Sequence, residues 1–133
     1  TGFTHNNGLV HLDIGSSAGS TSIKENTFYN LKVDMHLATY ECVLQDITGN
    51  AITILNDLDI TKGEAEMMTA SDSLTVHGLT NITADGKFNN NNTATGTITH
   101  HGLVTNLGTY KIKSGETYNL NGGIRQLGTL TVA

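Results

Sequence analysis

Proline and tryptophan are absent from the 133 residues, and cysteine occurs once, at Cys42. A single thiol cannot make a disulfide within the chain, so stability has to come from core burial and backbone pairing. Charged residues make up only 14% of the chain, with no Lys/Arg run and a net charge of -5. That balance argues against nucleic acid as a partner, because phosphate binding needs a basic face. No apolar run reaches the length that spans a bilayer, so membrane insertion is not expected. The chain begins at Thr1 rather than Met, with no signal-peptide pattern among its first residues, which says little about location. Residues 1–133 are therefore expected to be a single all-β repeat domain, a fragment or processed part of a larger structural protein.

What is present is threonine, glycine and asparagine in quantity. β-Branched Thr, Ile and Val favour extended backbone, because a crowded Cβ packs well on a pleated surface. Gly and Asn tolerate positive φ and suit corners between short strands. Apolar residues two apart recur along the chain, the period of a half-buried strand. The pairs are Val10/Leu12, Leu31/Val33, Ile52/Ile54, Leu58/Ile60, Leu74/Val76, Tyr110/Ile112, Tyr118/Leu120 and Leu130/Val132. Between them lie turn signals at Asn7-Gly8, Gly49-Asn50, Asp85-Gly86 and Asn121-Gly122-Gly123.

Taking Val10, Leu31, Ile52, Leu74, Ile98 and Tyr118 as anchors gives steps of 21, 21, 22, 24 and 20 residues. A period near 20 predicts a parallel β-helix, or β-solenoid, of about six coils. At roughly 4.8 Å per stacked strand this is a rod on the order of 29 Å tall. One coil cannot bury its inward side chains alone, so neighbours must stack to close a core. The fold alternative is an antiparallel β-sandwich or jelly roll, which also uses short alternating strands every 8–12 residues. Two stretches interrupt the pattern. Residues 34–47 read as a short helix or a broad strand, and residues 61–73, with Met67 and Met68, read as a turn or lateral loop. Asn89 to Asn92 read as an exposed loop rather than the start of an asparagine ladder.

Four phrases carry a resemblance: GFTHNNGLVHL at 2–12, NTFYNLKV at 26–33, NAITILNDLDITKG at 50–63 and DSLTVHGLTNITADGKF at 72–88. They are similar to the Gly/Thr/Asn-rich β-solenoid repeats of bacteriophage virion structural proteins, marine ones in particular, and of bacterial surface adhesins. GTITHHGLVTNLGTYKI and GTLTV, in the last third, are a looser echo. The resemblance implies a structural role on the virion surface, as a fibre, tail or capsid-decorating module. An adhesin segment at the bacterial cell surface is the alternative. The implied partners are copies of the chain itself, as a homo-oligomer such as a trimer, with other virion or surface proteins and a host-surface glycan beyond them.

Parallel β-helices also carry polysaccharide-cleaving enzymes, so a carbohydrate-active fragment is a remote third reading. Asp57 and Asp59 lie two apart, on one face of a strand. A glycosidase needs two carboxylates flanking the scissile bond, usually with aromatic sugar platforms. With aromatics at 5% and no Trp, these two read as a solvated polar face. Cys42, within YECVL, reads as a small buried hydrophobe. His100 and His101 are adjacent, so on a strand they point to opposite faces and cannot ligate one metal together. A metal on a symmetry axis, with His100 or His101 from each of three subunits, is the arrangement they leave open. His5 in THNNG reads as part of a turn. Gly122-Gly123 lacks the Lys-Ser/Thr of a phosphate loop, and the glycosylation patterns at Asn81 and Asn91 are common by chance in such a chain. The sequence thus assigns no catalytic, cofactor-binding or metal-binding residue, requires no cofactor, and points to a non-enzyme.

Overall fold

The computed structural model describes residues 6–13, 20–23, 27–44, 51–67, 73–90 and 96–132. His5, Gly49-Asn50, Met68 and Asn91-Asn92 lie outside the described residues. Within them there are fifteen strands and no helix. All strand pairs formed among the described residues are parallel. A sandwich or jelly roll is built from antiparallel neighbours, so the solenoid is the observed architecture and the alternative is set aside.

Each turn lays strands on three rows. One row is a five-stranded sheet: β3 (Thr27–Phe28), β6 (Ala51–Ile54), β8 (Ser73–Val76), β10 (Thr97–His100) and β13 (Thr117–Leu120). A second row stacks β1 (Leu9–Leu12), β4 (Asn30–Asp34), the start of β7 (Leu58–Met67), the start of β9 (Thr80–Asn90), β11 (Val104–Asn106) and β14 (Ile124–Gln126). The third stacks β2 (Ser20–Ile23), β5 (Glu41–Leu44), the ends of β7 and β9, β12 (Thr109–Ile112) and β15 (Thr129–Val132). From β3 to β13 the chain makes about four turns. The expected count of six is not confirmed. The anchor series explains part of the discrepancy, because Leu31 pairs with Leu58 in the second row while Ile52 belongs to the five-stranded sheet. The step from Leu31 to Ile52 is therefore not a coil. Those through Ile52, Leu74, Ile98 and Tyr118 are, since these four stack in register.

Alternation fixes which side chains enter the core. Leu31, Val33, Ile52, Ile54, Leu58, Ile60, Leu74 and Val76 are buried in columns, each on its counterpart one coil away. Fully burying such a side chain stabilises by roughly 1.5–3 kcal/mol. Cys42, Ala65, Phe88 and Tyr110 form another inward column. Leu130 and Val132, expected inward, are 43% and 71% exposed, because β15 is paired on the β12 side alone.

The irregular stretches resolve into strand. Residues 36–39 form a turn and β5 follows it, so no helix occupies 34–44. Of the turn or lateral loop expected at 61–73, the part up to Met67 is strand and Ser73 begins the next, while 68–72 lie outside the described residues; Asn89-Asn90 end β9 rather than opening a loop. Asp85-Gly86 is not a turn either, since it lies inside β9. In both long strands the corner is made within the strand, at register shifts after Ile60 in β7 and after Ile82 in β9. Gly86 serves close approach there: a Cβ would sit 2.2 Å from the Ile60 carbonyl oxygen. The Asn7-Gly8 and Asn121-Gly122-Gly123 signals do mark turns, with positive φ at Asn7 (57°) and Gly123 (82°).

Candidate functional site

The residues that carry chemistry divide into an interior set and an outer set. The interior set centres on His100, which is fully buried between Val76 and Leu120 in its column. Its Nδ1 lies 2.7 Å from Thr80 Oγ1 and its Nε2 3.0 Å from the Tyr110 hydroxyl. A neutral imidazole donates through one nitrogen and accepts through the other, so both hydroxyls can be satisfied at once. Phe88 presents an edge-to-face contact at 6.2 Å, and Tyr110 packs on both Phe88 and Tyr118. Burial pushes the His100 pKa down to about 4 and raises that of Tyr110, which the neighbouring Tyr118 raises further. The trio is sealed among packed strands and joins three rows of the coil. Its role is structural.

His101 points outward, as the strand period requires. It stacks on His77 one coil away, with centroids 4.9 Å apart and planes within 13°. Asn121 lies beyond it, its Nδ2 donating to His101 Nδ1 at 3.4 Å. His100 cannot contribute to a metal on a symmetry axis, because it is enclosed in the core. Among the described residues no group of three or more His, Cys, Asp or Glu is arranged to hold a metal ion.

Asp57 and Asp59 each bond to a residue of the next coil. Asp57 lies in the corner before β7, where its Oδ1 accepts from the Leu79 amide at 2.7 Å. Asp59, on β7, accepts from Asn81 Nδ2 at 2.9 Å. Both are half-buried and tied to the next coil, not free on a solvated face. The same corner begins with Asn30, whose Oδ1 accepts from Asn56 Nδ2 (2.8 Å) and the Asp57 amide (3.1 Å). Asn81 is thereby engaged within a strand. Cys42 is buried, and desolvation pushes its thiol up to about 12. Gly122 stacks on Gly102, which stacks on Gly78, so this glycine column makes a corner.

The three outer faces differ in charge. Lys32, Asp34, Asp59 and Arg125 lie on the second row, where Lys32 Nζ holds Asp34 Oδ2 at 2.8 Å and His11 adds a 3.3 Å contact. Hydrogen bonding from Lys32, with smaller contributions from Thr61 and His11, keeps the Asp34 carboxyl below its ordinary pKa. The third row presents Glu41, Glu64, Lys87 and Lys111, with Asn89 donating to Glu64, while Glu66 in the same row is buried. The described residues of the five-stranded sheet include no charged side chain. Its outward positions are Thr27, Ala51, Thr53, Ser73, Thr75, Thr97, Thr99, Thr117 and Asn119. Along the corner beside it, exposed Leu79 stacks with exposed Leu103, and exposed Leu55 lies in the column of His77 and His101. No family model, curated protein or solved structure matches the chain.

The sequence reading missed the interior His100–Thr80–Tyr110 contact and the uniform outer face. For the face a signal was available: Ala/Ser/Thr-x-Thr/Asn recurs at 51–53, 73–75, 97–99 and 117–119.

Proposed function

We propose that the chain is a non-enzymatic structural module of a virion, of the fibre, tail or capsid-decorating kind, acting by rigid stacking and by contacts between subunits on the virion surface. The observation that carries this reading is where the chemically capable side chains go. His100 and Cys42 are spent in the core, and Asp57 and Asp59 on bonds between coils. What the described residues of the solenoid offer outward is repeated surface. The likeness of its repeats to phage structural proteins supports the virion setting.

The test is the mass of the purified full chain in solution, by light scattering after size exclusion, together with incubation against a panel of polysaccharides. A symmetric homo-oligomer without turnover is the expected result. A monomer would replace the virion reading by that of an adhesin segment from a bacterial cell surface. Chain shortening of any polysaccharide, abolished by Asp57→Ala with Asp59→Ala, would overturn the non-enzymatic reading.

A further inference from the structure

The five-stranded sheet carries a two-column lattice on its outer side. One column is Thr27, Thr53, Thr75, Thr99 and Asn119; the other is Ala51, Ser73, Thr97 and Thr117. All four pairings in this sheet run without a register shift, whereas the ten-stranded sheet has shifts in two. Bulges bend a strand and increase its twist, so the shift-free sheet holds its side chains in the more regular array. The repeat is about 4.8 Å between coils and about 6.6 Å between alternate residues of one strand. Nearly every position is a small residue with a hydroxyl, and the threonines add a methyl group beside it. The branched Cβ of threonine restricts χ1 and so limits the orientations of that pair of groups.

The chemistry of the face narrows its occupant. With no charged side chain on its described strands, it offers nothing to a phosphate or to an ionic protein surface. Its described strands have no outward aromatic to stack on a sugar ring and no large outward apolar side chain to drive burial against a second protein. A regular, uncharged array of hydroxyls and methyls is complementary to another neutral array of comparable repeat. Water in ice is such an array, since its oxygen rows on the prism faces recur at comparable distances in two directions. The hydroxyls can join the lattice while the methyls occupy its hollows. We infer that the threonine face of the five-stranded sheet binds ice, with the solid water surface as its ligand. The inference does not rest on the proposed structural role.

The experiment is ice growth in the presence of the full chain, read as the gap between melting and growth temperatures and as the shape of single crystals. The wild-type chain should open a gap and facet the crystal. Thr75→Lys, at the centre of the array, should abolish both, and Thr105→Lys, outward on the charged second row, should leave both unchanged. Circular dichroism establishes that each chain is folded. If Thr75→Lys does not fold, Thr53→Lys on the neighbouring strand replaces it. A folded wild-type chain in which ice grows as in buffer alone overturns the inference, as does a folded Thr75→Lys or Thr53→Lys chain with an undiminished gap.

Discussion

Acidification should unfold this solenoid through His100. The imidazole is fully buried, and its pKa falls from 6.5 to about 4 because burial disfavours the charged form. The unfolded chain takes up a proton near pH 6.5, while the folded chain resists until about pH 4. Between those values the unfolded state binds more protons, so stability falls as pH falls. Above pH 6.5 there is no penalty; below pH 4 it is complete. A shift of this size corresponds to about 3 kcal/mol in full and about 2 kcal/mol at pH 5. That is a large share of the 5–15 kcal/mol typical of a domain. The assay is urea unfolding followed by circular dichroism at pH 7.5 and pH 5, for the wild-type chain and His100→Leu. The variant should be less stable at pH 7.5, because the Thr80 and Tyr110 hydroxyls lose a partner at about 1–3 kcal/mol each. It should nevertheless lose less on going to pH 5, since it lacks the buried imidazole and is otherwise identical to the wild-type chain. Equal losses in the two chains would refute the assignment of the acid sensitivity to His100.

Other perturbations follow from the same packing. Ile54→Asp places an unpaired charge in a fully buried column and should abolish the cooperative unfolding transition in a thermal melt. Gly102→Ala sets a Cβ 2.1 Å from the Gly78 carbonyl oxygen, which is backbone and cannot rotate away; a loss of about 1–3 kcal/mol or more is expected in urea titration. Cys42 should resist iodoacetamide at pH 8 in the folded chain and react once it is unfolded, as read by mass spectrometry.

The two-residue period made most of the core legible in the sequence. Ile52, Ile54, Leu74 and Val76 could be placed inward because nothing but alternation decides their facing. Coil boundaries were harder, since Leu31 and Ile52 carry the same local pattern on different faces and only pairing tells them apart. Asp85-Gly86 misled for a related reason. The dipeptide usually turns a hairpin, but here glycine answers the approach of the Ile60 carbonyl from the coil below. His100 was legible as one of two oppositely facing histidines, and its depth was not, because polarity argues outward and the hydroxyls that satisfy it come from Thr80 and Tyr110. The threonine face was written plainly in the recurring tripeptides, yet its meaning lies in register between coils, which spacing along one chain does not convey.

The stacking of coils also determines how the molecule answers a pull. The hydrogen bonds between strands run along the stacking direction, while the covalent chain winds around it. Tension applied at the two ends of the chain therefore meets the outermost coil first, and its bonds are stripped in turn rather than all together. Each coil that peels releases the 20 to 24 residues between successive strands of the five-stranded sheet, as from Ile52 to Leu74 to Ile98 to Tyr118. That is roughly 70–80 Å of slack per coil. Such a chain yields in even steps at modest load and rewinds on the template of the coil still in place, which makes it a shock absorber along its winding path and a stiff strut across it.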